Sequence, residues 1–321
     1  MATSGVNTNK LNTMEQFVRD FNQKYANQTV QKIHNRLNEI DGQETNYSPK
    51  VVGLAAAVAC AAFMFLLGGG IFEMLCAFVG AGVGSWTRKR LEQMKITSLA
   101  CTGTAVAVAC LMYLMLAAFL HQGFGISSRI QAGYLGAMLF VIPGFPFITS
   151  MLDISQLDMR SGLERLAYAT TIIIVATLIG WVLAMGIHVR PDEFFSLKMS
   201  NGWLFILRLI ASFTGVFCFS ILFNSTYKMA AVAGCIGAVA NTLRLELIDL
   251  TPILPGAAAF LGALAAGLLA SIINHKVGYP RISLTVPAIV IMIPGICIYR
   301  AVYYLGINSI DTGTLWLTRA A

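Results

Sequence analysis

Ile142-Pro143-Gly144-Phe145-Pro146 and, 151 positions later, Ile293-Pro294-Gly295 each interrupt an apolar run. Proline withdraws an amide donor and collides with the preceding turn, and glycine lets the backbone change direction, so each stretch kinks or breaks a helix. The sequence around the breaks repeats as well. Ser161-Gly162-Leu163, Leu166 and Ala169 return at the same offset as Thr312-Gly313-Thr314, Leu317 and Ala320. Upstream, at an offset of 154, Arg90-Leu91-Glu92 returns as Arg244-Leu245-Glu246. Phe63, Phe65, Gly80, Thr97 and His121 return there as Phe217, Phe219, Gly234, Thr251 and His275. Apolar coincidences carry little weight in so hydrophobic a chain, but Arg, Glu and His in one register do. A duplicated membrane unit with a proline-broken helix in each copy is a transporter signature.

Composition sets the class. The chain is 57% hydrophobic and 12% charged, with a mean hydropathy of +0.71, whereas a soluble domain carries about 25% charged residues. Ala-, Gly- and Leu-rich runs of about 17–23 residues recur, the length a helix needs to cross the hydrocarbon core. Barrel strands would be about 10 residues of alternating pattern. The expected fold is therefore an all-α integral membrane bundle. The net charge of +7 does not point to nucleic acid, because the basic residues sit in short loops with no aromatic-interleaved patch; in a membrane protein such residues fix orientation. The seven cysteines form no CxxC pair and read as small buried apolar residues. His34, His121, His188 and His275 have no metal-ligand spacing, and neither a metal nor another cofactor is expected. Phosphate loops, nucleophile elbows and zinc helix motifs are missing, which argues against an enzyme.

The organisation follows from the hydropathy pattern. Residues 1–50 are polar, with Phe17, Phe21 and Tyr25, then Val30, Ile33, Leu37 and Ile40, at helical spacing. They read as one or two amphipathic helices ending near Asp41-Gly42. So short a segment cannot enclose its own core, so it is expected to dock on the membrane part, on a subunit or on a further segment. A first repeat of five spans occupies 51–188 (51–69, 71–87, 97–120, 130–152 and 166–188). A second occupies 203–321 (203–223, 227–243, 252–273, 283–305), with a tenth span starting near Leu315 and stopping at Ala321. Five spans per copy is odd, so the copies have inverted topology, related by a pseudo-two-fold axis in the membrane plane. With the N-terminus in the cytoplasm, the inner loops hold Arg88, Lys89, Arg90, Lys95, Arg160, Arg165, Lys228, Lys276 and Arg281. The opposite loops hold Arg129, Arg190, Lys198, Arg244 and Arg300. The positive-inside rule favours that orientation.

Two constellations carry candidate chemistry. At the breaks, Pro143, Gly144 and Pro146 face Pro294 and Gly295 of the other copy as the substrate-binding candidates. Half-helix ends there would offer partial charges to a zwitterionic or anionic solute, and freed backbone groups must find protein, water or ligand. A plain proline kink is the structural alternative. The second constellation runs from Asp153 to Arg165. On one continuous helix Asp153 and Arg160 share a face, as do Asp158 and Arg165. The run reads either as a solvated cytoplasmic connection or as a gate in which Asp153 or Glu164 exchanges a proton beside Arg165. Arg300 either snorkels to the interface or holds a carboxylate.

These residues resemble the threonine/serine exporter family. Tyr47-Ser48-Pro49, Phe63, Gly68-Gly69-Gly70 and the basic Arg88–Leu91 loop look like its first half. Ile142-Pro143-Gly144-x-Pro146, Asp153 and Ser161-Gly162-Leu163-x-Arg165 look like the most distinctive stretch of that half, and Val286-Pro287-Ala288, Ile293-Pro294-Gly295 and Tyr299-Arg300 like the second half. The resemblance covers about residues 30–321; the family's soluble N-terminal domain is much longer, and its last span is nearly absent here. It implies a ten-span inner-membrane exporter of small amino acids driven by the proton gradient. In related proteins the halves can be separate subunits, an arrangement to which dicarboxylate export has been attached. The expected partners are a small polar solute (amino acid or dicarboxylate), protons and the lipid bilayer, with homo-oligomerisation left open. A dicarboxylate exporter and a passive channel are the rival readings.

Overall fold

The structure, a computed structural model, describes residues 6–125, 128–189, 199–293 and 295–320, and every regular element among them is helical. Helices α1 (Thr8–Asp20) and α2 (Val30–Asp41) are joined through a π-helical turn at Phe21–Tyr25. Then come α3 (Pro49–Leu66), α4 (Ile71–Gln93) and α5 (Ser98–Phe124). A 3-10 stretch, Ser128–Val141, leads into α6 (Gly144–Ser155) with a bend of 56°, and α7 (Met159–Ile187) follows. The second half contains α8 (Asn201–Leu222), α9 (Tyr227–Leu250) and α10 (Pro255–Val277). Helices α11 (Arg281–Val290) and α12 (Gly295–Gly306) then meet at 45°, and α13 (Ile310–Ala320) is the last element. Six of these helices are long and apolar enough to cross a membrane, or up to eight if each bent pair counts as one span.

Each of the nine complete spans expected from hydropathy coincides with a helix or a bent pair. Helix α4 falls short on composition because Arg88, Lys89, Arg90 and Glu92 occupy its last turns, but its packing makes it a full return strut. Near the start of α3, a Cβ on Gly53 would lie 3.2 Å from the Gly82 carbonyl and 3.3 Å from Trp86 Cβ, near the end of α4. The two helices are therefore antiparallel neighbours at van der Waals distance, as small residues allow in membranes.

Most of the basic residues expected in loops lie in helices instead: Arg88, Lys89 and Arg90 in α4, Arg160 and Arg165 in α7, Lys228 in α9, Lys276 in α10, Arg281 in α11 and Arg300 in α12. Helix α9 runs past 243 to Leu250, so Arg244 too is part of a helix and not of a loop.

The halves share a neighbour scheme. In the first, α4 packs on α3, α5 and the 3-10 stretch, α5 packs on that stretch and on α7, and α6 packs on α7. In the second, α9 packs on α8, α10 and α11, α10 packs on α11 and α13, and α12 packs on α13. The halves meet where α3 lies on α8, with the Phe63 and Phe219 rings edge-on at 6.4 Å.

The N-terminal segment docks on the α8–α9 turn. Thr8 donates from its backbone and hydroxyl to the Phe223 carbonyl, both at 3.0 Å. Asn46 N–H donates to Asn224 Oδ1 at 2.7 Å, and the Tyr47 hydroxyl to the Ser225 carbonyl at 2.6 Å. Asn224 adopts a left-handed conformation (φ 62°), which Asn tolerates better than most residues; this turns the carbonyls of the tight connection toward the segment. Of the three docking partners open to the sequence reading, the membrane part is the one observed.

Candidate functional site

Both breaks are built the same way. Gly144 N–H donates to the Ile142 carbonyl and Gly295 N–H to the Ile293 carbonyl, each at 2.8 Å across the intervening proline position. Pro143 has φ −79° and ψ 58°, the inverse γ-turn that an i to i+2 bond closes. Just upstream, Ile142 N–H reaches Leu139 O and Ile293 N–H reaches Val290 O, each at 3.2 Å. The breaks also interlock. A Cβ on Gly144 would lie 2.9 Å from Ile293 Cδ1, and one on Gly295 would collide with Ile142 Cδ1. Each isoleucine fills the place where the other break lacks a side chain.

The interlocking leaves little room beside the first break. Met138, Val141, Ile142, Pro143, Ile172 and Thr177 enclose a space of about 10 Å³ there, enough for about one water. Pro146 lies in the first turn of α6. Pro294 lies outside the described residues. The usable space is on the other side of the second break. A cavity of about 340 Å³ is lined by the end of α3, by Asn241 and Arg244 of α9, by Pro255 and Gly256 at the start of α10, and by Ile291–Ile293, Ile296, Cys297 and Arg300. Its size is at the lower end of the range for small-molecule sites. Arg319 of α13 also lines it, and among the described residues no carboxylate does.

Arg300 does not snorkel to the interface. It is 6% exposed, and its guanidinium sits 4.6 Å from the Trp316 ring centroid, with that of Arg319 4.7 Å from the same ring. Stacking on indole holds a guanidinium plane in a fixed orientation. Two more residues of the wall were not legible as site residues. Asn241 reads as a helix cap from sequence, and Arg244 as a loop charge; the only hint of anything more is the Arg-Leu-Glu repeat that contains Arg244.

The Asp153–Arg165 run is not one helix. Helix α6 ends at Ser155, Leu157 is left-handed (φ 65°), and Asp158 caps α7 by accepting from Ser161 N–H at 3.3 Å. The turn changes the partners expected on a continuous helix. Arg165 Nη1 lies 3.0 Å from Asp153 Oδ2 as an ion pair, while Arg160 pairs with Glu164 at 3.2 Å in the open, 90% and 70% exposed. Asp153 and Arg165 are thus brought together at the foot of the first broken helix. Glu164 is held apart from them. Among the described residues no group of three His, Cys, Asp or Glu side chains is arranged to hold a metal ion.

Comparison with known proteins agrees with this architecture. The family model described as "Putative threonine/serine exporter" matches residues 1–188, and "Threonine/Serine exporter, ThrE" matches residues 208–320. Over 302 residues the chain is 25% identical to a "Probable threonine/serine exporter" of Mycobacterium tuberculosis, an alignment covering 89% of this chain and 54% of the relative. Over 158 residues it is 25% identical to the "Probable succinate transporter subunit YjjP" of Escherichia coli, covering 48% of this chain and 58% of the relative. The chain thus spans little more than half the length of these curated relatives. No solved structure matches it. With more than half its length matched by one family model and most of the remainder by the other, this multi-pass membrane chain belongs to the threonine/serine exporter family.

Proposed function

We propose that the protein exports a small carboxylate-bearing solute, threonine or serine first among them, across the inner membrane with its N-terminus in the cytoplasm. The observation that carries this reading is the 340 Å³ cavity beside the second break, lined by Arg244, Arg300 and Arg319 and, among the described residues, by no carboxylate. A fixed guanidinium in a low-dielectric cavity attracts a carboxylate and gives it a bidentate seat. The halves form an inverted repeat and rock against each other about the interlocked breaks, opening the cavity to one side at a time. The reciprocal Ile142–Gly295 and Ile293–Gly144 packing and the shared neighbour scheme of the halves support that inversion. Pro143, Gly144, Pro146, Pro294 and Gly295 shape the hinge, and Arg300 holds the carboxylate. Asp153, at the end of α6 and paired with Arg165, exchanges the coupling proton, so that protonation frees Arg165 and opens the gate; Glu164 stays at the rim.

Counterflow of labelled threonine in proteoliposomes, with and without a pH gradient, tests this. Flux that rises with the gradient and is chased by serine is expected. In D153N, flux is expected to lose its dependence on the gradient, and a D153N protein that keeps it sinks the coupling role. A second reading rests on the same wall. Three arginines with no lining acid suit a dianion better than a zwitterion, and one relative is named for succinate. If succinate competes where threonine does not, the solute is a dicarboxylate. Flux indifferent to pH would make the protein a channel.

A further inference from the structure

Two half-buried arginines on the α8–α9 pair are treated in opposite ways. Arg208 of α8 reaches across to Glu246 of α9 at 2.9 Å and also to Asp249, so its charge is balanced within the protein. Arg244 of α9, two residues before Glu246, has no carboxylate partner among the described residues; its Nη1 donates to Asn241 Oδ1 at 3.3 Å, one turn back on the same helix. Asn241 Nδ2 donates in turn to Ser212 Oγ on α8 at 2.9 Å. Asn241 and Ser212 are 2% and 0% exposed, so this relay is a fixed part of the helix pair. Arg244 Nε is buried and has no hydrogen-bond partner among the described residues.

This arrangement occupies one edge of the guanidinium and leaves the other. Asparagine takes Nη1, whereas the Nε–Nη2 edge is one of the two geometries in which arginine receives a carboxylate through parallel N–H···O bonds. A half-buried charge without an acid beside it favours an incoming anion, and Asn241 supplies only a neutral acceptor. The cavity that Arg244 lines is where such an anion can reach it. A Glu or Asp at 241 would neutralise the group permanently; an amide holds it and keeps its charge.

We propose that Arg244 is a second carboxylate-recognising residue of the solute site, with Asn241 and Ser212 as positioning residues that hold its guanidinium in the cavity wall. This rests on reading the cavity as the solute site, and it places a second guanidinium beside Arg300, so that a solute with two carboxylates can use both. Cys297 also lines the cavity and supplies a reporter.

The experiment is peptide-resolved mass spectrometry of Cys297 alkylation in the purified full chain, titrated separately with L-threonine and succinate. In the wild type both slow alkylation, succinate at the lower concentration. R244K keeps the charge but loses the bidentate edge, and half-protection should need at least about tenfold more of either solute, about 1.4 kcal/mol. N241D, which sets a carboxylate against the guanidinium, should weaken protection by succinate at least as much, and S212A should weaken it less. R244K protected at wild-type concentrations overturns the role of Arg244 and leaves the cavity as the solute site. A wild type protected by neither solute overturns both. If R244K does not fold, N241A carries the test: unchanged protection there counts against the proposal, and weaker protection supports it.

Discussion

The two breaks share one backbone design and differ in what surrounds it. Each closes the same i to i+2 bond at 2.8 Å, and each receives the other's isoleucine. Yet the small space beside the first, which Gly295 of the second also lines, holds about 10 Å³ among mostly apolar side chains, while the second also adjoins a cavity with arginines on its wall. At the 151-residue offset the counterpart of Arg300 is Thr149, a buried threonine whose hydroxyl donates to the Phe145 carbonyl within its own helix. At the 154-residue offset the counterpart of Arg244 is Arg90, which is exposed and lies 5.6 Å from the Trp86 ring centroid. The lesson is that the two Ile-Pro-Gly breaks share a backbone turn and an interlock, whereas the side chains around them, Arg300 against Thr149 and Arg244 against Arg90, have diverged between the halves.

That division of labour can be broken at several points. The largest effect is expected from R300A, which removes a buried guanidinium from the polar wall. Losing one partner of a charged contact typically costs about 2–5 kcal/mol, so uptake at low solute concentration should fall about a hundredfold in a counterflow assay. T149A, at the equivalent place beside the first break, should change it less than about twofold. Comparable losses in both would mean that the two breaks share the binding work.

Next come the interlocks. G295A and G144A each add a methyl group where an isoleucine already sits, an overpacking that costs about 1–3 kcal/mol. I142A should restore the melting temperature of G295A, and I293A that of G144A, while the mismatched pairs should show simple additivity. Rescue by the wrong isoleucine would refute the reciprocal packing.

The smallest effect concerns the foot of the first hinge. E164Q breaks only the exposed pair with Arg160, so stability should move by less than about 0.5 kcal/mol and flux not at all. A large change in flux in E164Q would move the gate from Asp153 to Glu164.

Much of this was legible in the residues. The apolar runs determined an all-helical membrane bundle, because a polypeptide in hydrocarbon must satisfy its backbone within each segment. Proline and glycine determined where two of the helices break, and the offsets of 151 and 154 determined that the break occurs in a repeated unit. The amphipathic spacing of residues 17–40 announced helices in need of a partner surface. What the residues left open was decided by tertiary packing. A charge near the end of a hydropathy peak reads alike whether it lies in a loop or on a wall, and only the continuation of α9 to Leu250 turns Arg244 inward. Helical spacing paired Asp153 with Arg160 until the turn at Gln156–Asp158 rotated α7 and gave Asp153 to Arg165. Arg300 became a buried, indole-stacked group because α13 brings Trp316 back over α12. Periodicity and composition report what each segment must do to satisfy its own backbone and solvent. Which distant side chains then face one cavity depends on how the helices cross, and that is a property of the assembled bundle alone.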